Sequence, residues 1–460
     1  MNEFDDFIQT QKDEMIALLK DLVEIPSVME ETSDGEPFGK DCFAALELIT
    51  DAAEKLGFRT FIRDGYYAVA DYVPEGCDDI KLGILCHLDV VPAGDGWSYE
   101  PFKCTEKDGK LYGRGTMDDK GPAVSALYAV YAVKQNAVRL KHGVRLIFGT
   151  NEENGSADLE YYSTHDTMPP LVFTPDAEYP VINGEKGMVR TTYTSDFPAG
   201  EIVSIHGGQV INAVPSAACA VIKGLSKEAV IGCSEKLDNS CLYVIDEDNG
   251  TVKIECHGKS AHASLPDSGI NAITGLLELL CSLPLGDFTQ QEVLKKILRI
   301  YPHGKTNGEA LGAKMQDSHG ALTSVLSLIH TENGKIVFST DTRFPLSSTK
   351  EEIFDKFSRA IMDSGIEITG YIGSQPHYTD ENSELIKALL SVYELRTGKK
   401  SRSITIGGGT YVHEIDGGVA FGAERPGTDY HIHGADEFIP IDELLDNAAM
   451  FAQAILEICG

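Results

Sequence analysis

Strand-length apolar runs that stop abruptly on charged residues are the feature that most narrows what this chain can fold into. "VRLIFGTNEENGS" ends on the adjacent pair Glu152 and Glu153, "KLGILC" runs into His87 and Asp89, and "LVFTP" runs into Asp176. Like charges so close repel, and burying even one costs several kcal/mol unless something cationic compensates. Between these runs lie helical patterns such as "PAVSALYAVYAVKQ". Strands alternating with helices predict an α/β domain with a largely parallel central sheet between helices. Ligands bind outside the carboxyl ends of the strands in such sheets, so the charged ends are placed to converge at one edge.

The order of patterns along the chain predicts one domain inserted into another. Phe4, Phe7, Ile8, Met15, Ile16, Leu19, Leu22 and Val23 have the spacing of an amphipathic helix, stopped by Pro26. The α/β texture then holds to about residue 180. From 181 to 374 strand-like segments ("MVRTTYTS", "TVKIECHG", "KIVFSTDTRF") mix with helical ones ("GINAITGLLELLCSL", "KEEIFDKFSRAIMDSG"), which reads as an α+β insert with antiparallel pairing. The first texture returns over 375–460, closing with a helix from about Ile441 to Ile458. A chain of 460 residues accommodates two such domains.

Composition excludes several classes. The net charge of −32, from 39 basic and 71 acidic residues, repels nucleic acid and anionic membranes, and no basic cluster overrides it. The N-terminus has no basic stretch followed by an apolar core, and no apolar run approaches the roughly 18 residues of a membrane span. Ten cysteines without a C-x-x-C pair fit a reduced, cytoplasmic protein. Cys86, beside His87, reads as a small apolar strand residue.

Two further polar clusters join the strand ends. "GRGTMDDKGP" offers Asp118 and Asp119 before a helical pattern, and "DYHIHGADE" offers His431, His433 and Glu437. Each feature alone has an ordinary explanation: a histidine packed at a core edge, an aspartate capping a helix, glutamates solvated in a loop. Together, imidazoles and carboxylates arriving at one sheet edge match a divalent-metal site.

"HLDVVPAG", "GRGTMDDKG", "GTNEENGS", "PDAEYP", "GKSAHAS" and "GGGTY" together resemble the co-catalytic metallopeptidases and deacylases. That family includes carnosinases, aminoacylases, acetylornithine deacetylase and succinyl-diaminopimelate desuccinylase, and the likeness is greatest to its PepV-type bacterial dipeptidases. It runs from "LVEIPSV" to the last helix.

The resemblance implies two divalent metal ions per chain, zinc or manganese. His87, Asp118 and Asp176 match the ligands of one, and Asp118, Glu153 and His433 those of the other, with Asp118 bridging. The residues themselves do not separate Asp118 from Asp119; the family pattern, an Asp two before the Lys of "DDKG", selects Asp118. His433 is preferred to His431 because Glu437 follows four residues later. Asp89 matches the carboxylate that fixes the His87 tautomer, and Glu152 the general base that takes a proton from metal-bound water. In the insert, which the family uses as a lid with doubled, ferredoxin-like halves, His262 matches an oxyanion-stabilising histidine. Asn212 matches a substrate contact, Arg343 a clamp on the substrate carboxylate, and Gly407, Gly408 and Gly409 a loop where backbone meets substrate. The chain departs from the PepV-type pattern at Val412 and His413. The resemblance implies a monomeric hydrolase acting on dipeptides with a free C-terminal carboxylate; the alternative is an N-acyl amino acid deacylase or desuccinylase. A catalytically dead scaffold would lack Glu152 or a ligand, and every position is filled.

Overall fold

The computed structural model describes residues 3–30, 35–136, 139–238 and 240–460. They gather into two compact units. Unit 1 takes the chain to Asn183, Tyr378–Ile404 and Gly409–Gly460; unit 2 takes Gly184–His377 and Thr405–Gly408.

Unit 1 is built on a sheet whose strands follow the apolar runs. Ile80–His87 lies between Gly143–Gly149 and Leu171–Thr174, parallel to both. Val419–Ala420 extends the sheet in parallel beyond Leu171–Thr174, and the antiparallel hairpin Arg59–Arg63/Tyr67–Tyr72 closes the other side. Side chains alternate across a strand, and here both faces are covered. Leu82, Ile84, Cys86, Val144, Leu146 and Phe148 join the large core with helices Lys120–Gln135 and Ile441–Cys459. Leu85 and Ile147 join a smaller cluster with Leu159, Tyr162, Tyr411, Val412 and Ile415. Helix Lys120–Gln135 is buried along nearly its whole length, hence its alanines and the absence of a polar stripe. Pro122 is tolerated there because the first turn has no intrahelical use for its N–H.

The opening segment differs from a single helix. It forms Glu3–Thr10 and Lys12–Glu24, broken at Gln11, where the Thr10 hydroxyl donates to the Phe7 carbonyl at 2.6 Å. Such local bonds compete with helix propagation. Ile8 and Met15 stay buried on either side of the break. Ile25 is extended, as the residue before a proline prefers, and ends the second helix.

Unit 2 is an eight-stranded antiparallel sheet in the order 242–248, 251–257, 217–223, 202–207, 323–332, 335–344, 187–196, 366–374. It consists of two four-stranded halves joined through only two residue pairs, His206↔His330 and Gly207↔Ile329. Burial alternates residue by residue along Gly187–Asp196, the mark of a sheet with one face on the core. Helices Ala272–Ser282, Thr289–Ile300 and Lys350–Ala360 cover that face. Asn271 and Thr349 cap the first and third by accepting the N–H groups of Thr274 and Glu352.

Leu276 is fully buried in this second core. Leu276→Ala should remove about 2–5 kcal/mol of stability, read as a lowered midpoint for the unit 2 transition in a urea titration.

Candidate metal centre

Strand register brings the charged ends of unit 1 together. His87 pairs with Gly149 at the last position of two parallel strands, and the Leu88 N–H donates to the Gly149 carbonyl at 2.9 Å. Asp89 and Thr150–Glu153 therefore leave the sheet side by side. Gly149 has no substitute: a Cβ there would lie 1.8 Å from the Tyr411 hydroxyl and 2.3 Å from an Asp158 oxygen.

Two donor groups result, His87–Glu152–Asp176 and Asp118–Glu153–His433, each within the span of one ion. Asp118 links them. Its Oδ1 is 3.0 Å from His87 Nε2, and its Oδ2 is 2.9 Å from His433 Nε2. Glu153 Oε1 is 2.9 Å from the same His433 nitrogen, and Asp176 Oδ2 is 3.7 Å from His87 Nε2. Asp119 goes elsewhere: its Oδ2 accepts the His87 backbone N–H, and although it stands at the start of the helix its side chain caps nothing. The Asp118–Asp119 peptide is cis. His431 also stands apart, exposed, with its ring edge-on to Phe438.

Charge is crowded here. Burial pushes the Glu152 carboxyl up to about 8, with Glu153, Asp118 and Asp89 adding to the effect against His87. Burial, then Asp118, holds Asp176 well above the usual carboxylate range. For Asp118 burial acts upward, but hydrogen bonds to His433 and His87 outweigh it and its pKa is lowered. Burial disfavours charge on His433, yet Asp118 and Glu153 raise it to about 10. The cluster thus draws positive charge onto its imidazoles. Oxygen and imidazole donors without thiolate suit zinc, manganese or cobalt, so the residues fit a divalent ion.

A layer of buried carboxylates holds these donors. The His87 Nδ1 is 3.0 Å from the Asp89 carbonyl and 3.4 Å from its carboxylate, leaving Nε2 facing Asp118. The Asp89 carboxylate also accepts the backbone N–H groups of Glu152 and Glu153, at 3.2 and 3.1 Å. It therefore positions the glutamate pair as well as the histidine. Asp158 accepts from the N–H groups of Thr150 and Asn151 and from the Tyr411 hydroxyl. Glu437, fully buried, accepts from Arg114 and from three N–H groups of the turn before Asp118. Sequence reasoning missed Asp158, Arg114 and Glu424, whose carboxyl burial and Asp118 push up to about 7. Only the arginine inside "GRGTMDD" carried a signal, as a cation beside an otherwise acidic motif.

Unit 2 assembles the remaining candidates. Ala213–Val214 pairs with Ala261–His262, and the Asn212 carbonyl accepts the Ala263 N–H at 2.8 Å, which sets Asn212 near His262. The Ser264 N–H donates to His262 Nδ1 at 3.2 Å, and the Ser264 hydroxyl lies 2.6 Å from the same nitrogen. A Cβ on Gly407 would meet Ser264 at 2.6 Å, and the Gly407 carbonyl accepts from Arg343 at 2.9 Å. Arg343 also donates twice to the buried Asp341. Gly408 follows in unit 2, whereas Gly409 belongs to unit 1.

Imidazoles and carboxylates gathered at the ends of the parallel strands of a mixed sheet form the donor set of a divalent-metal site. Residues 83–457 match the model of peptidase family M20/M25/M40, and the chain belongs to that family. It is 36% identical to Bacillus subtilis YtjP, named as a candidate dipeptidase, over 97% of this chain and 98% of that protein. It is 33% identical to the Beta-Ala-Xaa dipeptidase of Lactobacillus delbrueckii subsp. lactis, over 99% and 98%. Among solved structures, human carnosine dipeptidase 1 shares the fold with a TM-score of 0.62 at 16% identity, covering 99% of this chain and 98% of that one. No helix among the described residues is long and apolar enough to cross a membrane.

A site this crowded should need its ions for stability. Stripping divalent metal with a chelator should lower Tm, and adding divalent metal back should restore it. Binding at 100–1,000 times Kd is worth about 2.7–4.1 kcal/mol. Calorimetric scans of apo and refilled protein check this.

Proposed function

We propose that the protein is a dipeptidase that binds two divalent ions, zinc or manganese, and cleaves dipeptides carrying a free C-terminal carboxylate. The observation that carries this reading is the donor count. Four carboxylates surround two imidazoles, with Asp118 turned to both rings. Two divalent cations balance four carboxylates and leave the imidazoles neutral, the form in which they ligate. Support also comes from the Lactobacillus relative, whose name describes a dipeptidase.

His87, Asp118 and Asp176 would hold one ion, and Asp118, Glu153 and His433 the other. Ions bound there supply Lewis-acid polarisation of the scissile carbonyl and a water acidified toward a pKa of about 7. Glu152 and Glu153 divide the remaining work. The Glu153 carboxylate is engaged by His433, whereas the Glu152 carboxylate accepts no hydrogen bond from the described residues. With its backbone tied to Asp89, Glu152 is placed to take a proton from the attacking water and deliver it to the leaving amine. The Nε2–H of His262 is the donor for the developing oxyanion, with Asn212 as a second substrate contact. Arg343 uses three of its five N–H donors on Asp341 and Gly407, leaving one on each terminal nitrogen for a planar carboxylate. The same reading makes the active species a cytoplasmic monomer.

Apo-protein refilled with each metal should turn over dipeptides in preference to acetyl- and succinyl-amino acids; the opposite preference would assign a deacylase. Glu152→Gln should keep metal and slow turnover by about 10²–10⁴-fold, while Glu153→Gln should weaken metal retention. Metal analysis beside kcat measures both, and the reverse pattern would exchange the two roles.

A charge-assisted bidentate bond is worth about 1.5–3 kcal/mol, so Arg343→Ala should lower kcat/KM roughly ten- to a hundredfold. Amidating the substrate's C-terminus should cost the wild type similarly and the variant little. Equal losses in both enzymes would show that Arg343 does not read the carboxylate.

A further inference from the structure

We propose that Arg114 and Glu437 act as one positioning pair that sets the spacing between the metal-ligating side chains of Asp118 and His433. This rests on the reading of those two residues as ligands.

The pair touches the segments that carry both of these ligands. Glu437 Oε1 accepts the N–H groups of Met117 at 2.9 Å and Asp118 at 3.2 Å; its Oε2 accepts that of Gly115 at 3.1 Å. One carboxylate thereby fixes the main chain of the turn ending in Asp118. Arg114 Nη1 donates to Glu437 Oε2 at 2.6 Å. Its Nη2 donates to the carbonyl of Gly434, the residue after His433, at 3.0 Å, and to that of Ala93 at 3.2 Å. Ala93 lies in the segment leaving His87 and Asp89. The loops carrying His87, Asp118 and His433 thus meet on one guanidinium and one carboxylate.

Neither group is accessible for another purpose. Glu437 and Arg114 are 0% and 1% exposed. Trp97, the only tryptophan of the chain, lies with its ring 5.3 Å from the guanidinium and donates its own N–H to the Ala93 carbonyl at 2.7 Å. The turn is tight enough to require glycine at 115, which has φ +85° and where a Cβ would meet Val90 at 2.8 Å. His433 has φ +60°, a conformation its loop must hold from outside the residue itself. A bridging carboxylate tolerates little error, because each oxygen must face a different imidazole. A planar guanidinium has the fixed fork needed to hold that register, which an ammonium lacks.

The test titrates cobalt(II) into apo-protein against a competing chelator, reading affinity, stoichiometry and the visible d–d spectrum. Variants are Arg114→Met, Arg114→Lys, Glu437→Gln, the Arg114→Met/Glu437→Gln double and Asp118→Asn. The positioning variants should bind cobalt about 10–100-fold more weakly, the usual effect of altering groups behind a ligand, with a changed spectrum. Arg114→Lys should not restore either property. The double variant leaves no unpaired buried charge, so it stays folded where a single one fails. It should lose no more than the worse single, because the residues act as a unit. With dipeptide, kcat should fall while KM stays near wild type. Two failures are distinguishable. If Asp118→Asn keeps the wild-type spectrum and stoichiometry, the ligand reading itself is wrong. If Asp118→Asn loses them while folded double variant keeps wild-type affinity and spectrum and shows only a lower Tm, the pair is merely structural and the proposal is overturned.

Discussion

Buried negative charge is the constraint on which the rest of unit 1 depends. Asp118, Glu152, Glu153 and Asp176 crowd around two imidazoles, and Asp89, Asp119, Asp158 and Glu437 lie fully or nearly fully buried behind them. A carboxylate taken from water is tolerated only when hydrogen bonds or cations replace its hydration. The outer four accept chiefly backbone N–H groups, those of His87, Glu152, Glu153, Thr150, Asn151, Gly115, Met117 and Asp118, although Asp119 Oδ1 finds no hydrogen-bond partner among the described residues. Each bond solves the carboxylate's problem and at the same time fixes a turn that carries a donor. The inner four keep their oxygens turned toward one another and toward the imidazoles, an arrangement that divalent cations complete.

The fold serves this by setting strand ends level. Parallel strands with His87 opposite Gly149 deliver Asp89 and the glutamate pair to the same height, and Thr174 opposite Ala420 delivers Asp176 from the next strand. The two covered faces hold those strands in register, because a slip of one residue would exchange Leu85 and Ile147 with the side chains of the larger core. Such precision requires a sheet buried on both sides. It also explains why the helix after Asp118 is apolar nearly all round.

Unit 2 solves a different problem with different means. It carries a chain of neighbouring groups, His262 to Ser264, Ser264 to Gly407, and Gly407 to Arg343 on the large sheet, with Asp341 behind the guanidinium. Arg343 is therefore oriented by a buried carboxylate on its own strand. In the proposed role of Arg343 as a carboxylate clamp, this pre-orientation would lower the ordering cost of binding a planar anion.

Much of this architecture was legible in the chain. Apolar runs of strand length, the helical spacing between them and the change of texture near residue 181 follow from local periodicity, which side-chain direction makes visible. The residue types of the metal centre were legible too, because few other chemistries place imidazoles and carboxylates directly after buried strands. At Asp118/Asp119 and His431/His433 the residue types left the choice open and the family resemblance made it; only the tertiary structure gives the contacts that distinguish each pair of neighbours. Asp118 faces the imidazoles while Asp119 bonds a backbone N–H, and His433 meets Glu153 while the His431 ring lies edge-on to Phe438. It also revealed Asp158 and the Arg114–Glu437 pair, and it broke the first helix at Gln11. Periodicity reports how a side chain relates to its own helix or strand. Partners 320 residues apart in sequence, as Met117 and Glu437 are, meet only when the whole sheet has closed.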